Sequence, residues 1–361
     1  MTDVLKVDPN SPDRAAIARA ADCLRRGGLV AFPTETVYGL GANALDRTAV
    51  TRVFEAKRRP THDPLIVHVG STADVPKLVA AVPAATSLLA DRFWPGPLTL
   101  VMRRSTLVSD EVTAGLDTVA VRVPAHPVAR ALIEATRVPI AAPSANIFSR
   151  PSPTTAAHVL QDLAGRIDLV IDGGPTAVGL ESTVLDLSGP VPVVLRPGAV
   201  TVEMLREVLP GVRMRSSPTD NATATRSPGL TPQHYSPRAP LTLYEGAPRA
   251  TIDTLMWDAR AALVAGSIVG IVAADEDRVP LSALAGFEGL PPQSKPRLLV
   301  AHVGSQRNLT AIAARLYAAL RELDAAGVDR ILVRGFEDES GLGAAIRDRL
   351  RRAAAGRIVR C

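Results

Sequence analysis

Phe32-Pro33-Thr34-Glu35-Thr36-Val37-Tyr38-Gly39-Leu40-Gly41 follows a short apolar run, Gly28-Leu29-Val30-Ala31-Phe32, bounded by glycine and proline. A run of that length and composition predicts a buried strand that delivers the polar residues after it to a sheet edge. Loops at strand ends are where sites gather. The hydroxyls and paired glycines here, taken with Lys57-Arg58-Arg59-Pro60 downstream, predict an anion site. The alternative is architectural: Gly39 and Gly41 make a turn, and Lys57 to Arg59 close a helix whose carbonyl end favours cations.

Outward from this stretch, helix and strand signals alternate. Residues 11 to 27 predict a helix, with Ser11 as cap, Pro12 at the first position, Ile17, Ala20, Ala21 and Leu24 on one face, and Gly27 as the stop. Strand patterns follow at 64–69, 98–102, 118–123, 169–171, 183–187 and 191–195, with helical patterns at 46–58, 82–93, 126–136, 154–164 and 201–209. Successive strands without helices between them predict a mixed α/β sheet rather than a purely doubly wound one. Residues 212 to 240 break into Ser, Thr, Pro, Asn and Gly, as in Ser216-Ser217-Pro218-Thr219-Asp220-Asn221, and read as a linker. Beyond it, strands at 241–245, 267–273, 298–303 and 330–334 alternate with helical patterns such as 308–326 and 341–354, which predicts a smaller α/β domain with a parallel sheet. The expected division is therefore a first domain over 1–211, a linker over 212–240 and a second domain over 241–361.

A chain of 361 residues is long enough for two cores. Hydrophobic residues at 47% and charged residues at 21% are ordinary for a globular α/β protein. The start, Met1-Thr2-Asp3-Val4-Leu5-Lys6-Val7-Asp8, lacks a basic region followed by an apolar core, and no apolar run approaches the ~18 residues of a membrane span, so a cytoplasmic protein without membrane association is expected. With only Cys23 and Cys361, a disulfide framework or cysteine metal site is excluded. The net charge of +5 suits polyanionic ligands such as nucleotides or RNA, although Arg347, Arg349, Arg351 and Arg352 alternate with Asp348 and alanines as on a solvated helix face.

Further anion-binding candidates stand at strand ends: Ala141-Ala142-Pro143-Ser144-Ala145-Asn146 after Val138-Pro139-Ile140, Glu181-Ser182-Thr183 at the opening of a strand, and Arg196 at the end of another. In one sheet such ends converge on a single cleft. No phosphate-binding P-loop and no His-Glu-x-x-His metal site occurs, and Gly39-Leu40-Gly41 and Gly341-Leu342-Gly343 each supply only part of a dinucleotide fingerprint. His68 on its apolar strand reads as a buried hydrogen-bonded histidine or as a ligand contact. The linker holds Ser227-Pro228-Gly229-Leu230-Thr231-Pro232-Gln233-His234-Tyr235-Ser236-Pro237, a His-Tyr pair among turn formers in a chain with four tyrosines. It reads as a lid over the first domain's site or as a local anchor of the linker.

Thr34-Glu35-Thr36-Val37-Tyr38-Gly39-Leu40, Lys57-Arg58-Arg59-Pro60, Pro64-Leu65-Ile66-Val67-His68, Trp94-Pro95-Gly96-Pro97-Leu98-Thr99, Arg122-Val123-Pro124, Pro143-Ser144-Ala145-Asn146 and Glu181-Ser182-Thr183 resemble, in order and spacing, the YrdC-like threonylcarbamoyl-AMP synthases, in their two-domain form. The resemblance implies a YrdC-like mixed twisted sheet whose helices form a basic cavity, with a Rossmann-like second domain. It also implies a nucleotidyltransferase that joins L-threonine, bicarbonate or CO2, and ATP, with Mg2+ accompanying the ATP. The product would supply a separate transferase that modifies adenosine 37 of tRNA. Carried over by position, Lys57, Arg59 and Arg196 are expected at the triphosphate, with Ser144, Asn146, Ser152 and Ser182 as hydrogen-bond partners and Thr61 and Thr118 as further nucleotide contacts. Thr34, Tyr38, His68, Arg122 and the Ala142 backbone are expected around threonine, and Tyr235 over the bound intermediate. No dedicated metal site is expected. The rival readings are a module binding double-stranded RNA or tRNA without catalysis and a nicotinamide-dependent oxidoreductase built on the Gly341 region.

Overall fold

The computed structural model describes residues 1–215, 234–285, 298–338 and 340–361. Ser216 to Asn221 and the Ser227–Gln233 part of the expected lid lie outside the described residues. The chain divides into two units, Met1–Phe148 with Ser152–Leu230, and Ser149–Pro151 with Thr231–Cys361.

An 11-stranded mixed sheet organises the first unit, in the order Asp3–Lys6, Leu169–Asp172, Val30–Phe32, Gly39–Asn43, Ile140–Ala141, Ile66–His68, Thr118–Arg122, Leu98–Arg103, Thr183–Asp186, Val193–Arg196 and Arg213–Met214. Parallel pairs such as Ile66–His68 with Thr118–Arg122 sit beside antiparallel ones such as Leu98–Arg103 with Thr118–Arg122. One face is sealed by helices Arg47–Lys57, Ala85–Phe93, Ala156–Leu163 and Val202–Val208, which bury Val50, Val53, Leu89, Val159 and Leu205 against Leu40, Val67, Leu100, Val121 and Leu185. On the opposite face, over the first strands, helices Arg14–Arg25 and Pro127–Thr136 press Leu24, Val128 and Leu132 onto Val30, Phe32, Ile140 and Ile171.

Local chemistry shifts some expected boundaries. The first helix starts at Arg14, not after Ser11, because the Asp13 carboxylate accepts from Ala16 N and caps it. Gly39 and Gly41 form no turn; they belong to a strand, and a Cβ at Gly41 would meet Ile140 Cγ2 at 2.8 Å and Phe32 Cε1 at 2.9 Å. The glycine is there so that neighbouring strands and the Phe32 ring can approach. Arg213–Met214, inside the expected linker, pairs parallel with Val193–Val194.

The second unit is a five-stranded, wholly parallel sheet ordered Leu298–His302, Val269–Ala273, Arg330–Arg334, Leu241–Glu245 and Ile358–Arg360. Helices Pro248–Val264, Leu309–Ala325 and Gly341–Ala354 flank it. Gly341-Leu342-Gly343 opens the last of these, and a Cβ on Gly343 would meet the Asp338 carbonyl oxygen at 1.9 Å, so close packing accounts for that glycine. His234 and Tyr235 are buried within this unit: the Tyr235 ring stacks on Tyr317 at 5.6 Å and lies under the Arg349 guanidinium at 5.3 Å. The structure thus gives Tyr235 a packing role in the second unit.

Candidate functional site

Further along the sheet, five adjacent strands carry, within or just before them, a buried polar row: His68, Arg122, Thr99, Ser182 and Arg196. Alternation puts His68 on the face of Ile66, Arg122 on that of Ala120, Thr99 on that of Val101 and Ser182 on that of Val184. These apolar partners, with Leu195, form a small buried floor. At about 4.8 Å per strand spacing the row spans roughly 19 Å.

Arg122 organises the first end. Its Nε donates to Gly96 O at 3.2 Å, Nη1 to Thr36 Oγ1 at 3.0 Å and Nη2 to Glu35 Oε1 at 2.6 Å. A guanidinium carries five N–H donors, so one remains on each terminal nitrogen, the fork geometry that grips a carboxylate. Glu35 also accepts from Ala125 N at 3.1 Å. Burial pushes the Glu35 carboxyl up, but the Arg122 charge and hydrogen bond outweigh that and hold it below the usual range. Thr34 shapes the loop: its hydroxyl donates to Val37 O at 2.6 Å and accepts from the amides of Thr36 and Val37.

His68 pairs in register with Arg122, its ring edge-on to Phe32 with centroids 6.3 Å apart. Its Nδ1 is buried with no hydrogen-bond partner among the described residues. Desolvation, reinforced by the Arg122 charge, pulls the imidazole down to about 3 from 6.5. The ring is therefore neutral near pH 7, with a polar atom left over for a ligand. The unfolded chain takes up this proton near 6.5 and the folded one near 3, so His68 costs stability progressively as the pH falls between those values. Between pH 6 and 4 the wild type is expected to lose up to about 1.4 kcal/mol per pH unit more than His68→Gln; equal slopes in denaturant melts across that range would show that the ring titrates normally.

At the other end Arg196 donates from Nε and Nη2 to Ser182 O, at 3.1 and 3.0 Å, and from Nη2 to Ser182 Oγ at 3.2 Å. Ser182 Oγ lies 2.8 Å from Thr99 Oγ1, and Ser152 Oγ donates to Glu181 Oε1 at 2.5 Å. The Lys57 ammonium, 1% exposed as a residue, donates to Ser144 O at 2.5 Å and Asn146 O at 2.6 Å. Arg59 donates to Asp63 O and Pro64 O and pairs with the Asp63 carboxylate at 3.0 Å, both side chains buried. All three cations expected at the triphosphate therefore grip main-chain carbonyls and fix loops.

Other expected residues fall in different places. Tyr38 does not line the row: it is fully buried in the helix-covered core, its hydroxyl donating to Gly174 O at 2.7 Å, and burial followed by the Asp172 charge pushes its pKa up, so it stays a neutral donor. Thr61 is exposed in a turn. Thr118 opens the Arg122 strand on the same face, four residues away, and its buried hydroxyl has no hydrogen-bond partner among the described residues. Ala142 is buried with its N–H committed to Ile66 O at 2.9 Å. Sequence reasoning missed Glu35, Thr36, Asp63, Thr99 and Glu181 as partners of these groups. The signal for Glu35 and Glu181 was a lone carboxylate inside each quoted motif, although which cation or hydroxyl it meets depends on the sheet order. Among the described residues no cluster of three or more His, Cys, Asp and Glu is placed to hold a metal ion, and no helix is long and apolar enough to cross a membrane.

The family described as Telomere recombination matches residues 22–198, and the one described as Threonylcarbamoyl-AMP synthase, C-terminal domain, matches residues 200–355. The threonylcarbamoyl-AMP synthase of Pyrococcus abyssi is 44% identical over 345 residues, 94% of either chain. That of Bacillus subtilis is 43% identical over 98% of this chain and 97% of its own. The crystal structure of P. abyssi Sua5 complexed with L-threonine superimposes with a TM-score of 0.88 at 41% identity, over all of both chains.

Proposed function

This chain belongs to the threonylcarbamoyl-AMP synthase family, and from that premise we propose how its own residues carry the reaction. It is a nucleotidyltransferase that makes threonylcarbamoyl-AMP from L-threonine and ATP. The observation that carries the reading is the polar row itself: the unused guanidinium fork of Arg122 beside a neutral His68 at one end, and Ser182 with Arg196 at the other, over an apolar floor.

The threonine carboxylate takes the two remaining N–H groups of Arg122, and the unpartnered His68 Nδ1 faces the amino acid's polar groups. The amine attacks the carbon of CO2, and loss of its proton leaves a carbamate. A carbamate oxygen then attacks the α-phosphorus of ATP, forming the new O–P bond as the bond to pyrophosphate breaks. Because the carbamate is already anionic, positioning and charge stabilisation supply the rate and no strong general base is needed. Ser182 and Arg196 are assigned to the phosphates, and Thr118, with its buried unpartnered hydroxyl on the same face, to the nucleoside. Lys57 acts by shaping the loop that carries Ser144 and Asn146, and Arg59 by fixing the turn at Asp63 and Pro64. Mg2+ would accompany ATP as its counter-ion and neutralise charge on the phosphates, an ion that usually keeps several waters and binds substrate phosphates rather than an all-protein cage. The product passes to a transferase that modifies tRNA.

The test is incubation of the protein with ATP, magnesium, bicarbonate and either L-threonine or L-serine, followed by mass spectrometry. Threonine-dependent threonylcarbamoyl-AMP with equimolar pyrophosphate is expected; folded, ATP-binding protein that yields no adduct would refute the reading.

A further inference from the structure

Leu195 and Arg196 are neighbours in the chain, yet both sit on the face that carries the polar row. The pairing of Val193–Arg196 with Thr183–Asp186 explains this. Val194 lies opposite Leu185 and Arg196 opposite Val184, with the register shifting between them, so Leu195 is an extra residue in its strand. Val194 and Leu185 belong to the helix-covered core, whereas Val184 and Leu195 belong to the floor under the row. Simple alternation would return Arg196 to the helix-covered side. The β-bulge turns it toward Ser182 instead, as bulges beside functional sites do.

A bulge sets the direction of the side chain but not its distance. Two contacts behind Ser182 set that. A Cβ on Gly198 would meet Thr183 N at 2.5 Å, Glu181 O at 2.7 Å and Ser182 C at 2.8 Å, so the turn after Arg196 lies directly on the main chain of residues 181–183. The buried Thr183 hydroxyl donates to Val200 O at 2.6 Å and ties down the far side of the same turn. Residues 181–183 are pinned from behind, because Thr183 N donates to Pro97 O at 3.0 Å and Thr183 pairs in register with Leu98. Bulk added at Gly198 therefore lifts the 196–200 turn, and with it the guanidinium whose bonds to Ser182 run from 3.0 to 3.2 Å.

We propose that Gly198 and Thr183 are positioning residues for the phosphate chain of ATP: together with the bulge at Leu195 they hold Arg196 against Ser182 on the row. The inference rests on the assignment of Ser182 and Arg196 to the phosphates made above. Arg122, at the other end of the row, is set by Gly96, Thr36 and Glu35, so the effect is confined to the anion.

The experiment uses the full chain with inorganic tripolyphosphate as the probe, so that the grip on phosphate is read without chemistry. Gly198→Ala and Thr183→Val are each expected to raise the calorimetric Kd for tripolyphosphate and the KM for ATP together, by about 5–20-fold, since small displacements of binding groups are costly. The Kd for L-threonine, measured without nucleotide, is expected to stay within about twofold of wild type. Thr183→Ser, which keeps the hydroxyl, is expected to bring both phosphate values to within about threefold. An unchanged tripolyphosphate Kd in a folded variant, an equal weakening of threonine, or loss of the folded state in both Gly198→Ala and Thr183→Val would overturn the proposal. Wild-type protein that fails to bind tripolyphosphate would remove the assignment of Ser182 and Arg196 and the proposal with it, whereas an unchanged ratio of variant to wild type would remove the positioning role alone.

Discussion

Arg122→Ala is expected to lose threonine binding by two to three orders of magnitude and to melt well below the wild type. Both effects follow from one buried guanidinium. In the proposed reaction it offers the carboxylate of threonine a fork on its terminal nitrogens, and truncating one partner of a buried charged pair costs about 2–5 kcal/mol of binding. The same group neutralises Glu35, whose carboxylate it meets at 2.6 Å with side-chain exposures of 4% and 13%. Left alone, Glu35 would be an uncompensated buried charge, a situation that costs about 3–5 kcal/mol. The two effects separate in the double variant Arg122→Ala/Glu35→Gln. Removing the orphaned charge is expected to restore most of the stability and none of the threonine affinity. Arg122→Lys should show the reverse balance to a simple deletion, keeping a charge opposite Glu35 without a fork. Thermal melts and calorimetric threonine titrations across the four proteins decide the matter, and recovery of threonine binding in the double variant would remove Arg122 from the carboxylate site. Acid should mimic part of the loss. Glu35 is held below its ordinary range in the folded state, so its contribution is complete above that range and disappears as the pH falls through the lowered value.

The periodicities of the chain foreshadowed its elements well, because each depends on its own residues. Helix Arg47–Lys57 needs only its apolar spacing and a first-turn acceptor, which Asp46 provides to Thr48 and Ala49. The parallel second sheet was likewise visible, since strands such as Val269–Ala273 are apolar throughout and separated by helices. The elements that escaped are those whose reason lies elsewhere. Asp3–Lys6 is a short edge strand with mostly exposed side chains, paired to Leu169–Asp172 more than 160 residues away. Ile358–Arg360 similarly forms because Leu241–Glu245 leaves an edge open to it.

The candidate site divides in the same way. Residue types and their order were legible, and five strands do bring His68, Arg122, Thr99, Ser182 and Arg196 into one row. What a side chain points at was not legible. Tyr38 stands inside the Thr34–Gly41 stretch and looks like a cavity residue, yet it shares the helix-covered face with Leu40 and Ala42. Lys57 looks like a phosphate ligand from its cationic neighbours, but it ends a helix whose last turn is buried, so its ammonium emerges under the 144–146 carbonyls.

That placement changes what Lys57→Ala should do. A lysine at a helix end that merely reached for phosphate would be removed with little change in stability. Here the ammonium satisfies two carbonyls inside the protein, and each left unpaired costs about 1–3 kcal/mol. The loss is partly offset because a buried charge is removed with it, so a net destabilisation of roughly 2–3 kcal/mol is expected, alongside a KM for ATP raised on the order of a hundredfold as Ser144 and Asn146 lose their anchor. Lys57→Met separates packing from charge: its unbranched stem fills the same channel, so it should recover stability lost to the cavity without recovering ATP affinity. Threonine affinity should change little in either variant, since the ammonium holds Ser144 O and Asn146 O whereas Arg122 is set by Gly96, Thr36 and Glu35. Denaturant melts and separate calorimetric titrations of the two substrates are the measurements. Full stability with weak ATP binding in Lys57→Ala would return this residue to direct contact with phosphate, whereas lost stability with normal ATP affinity would make it purely structural.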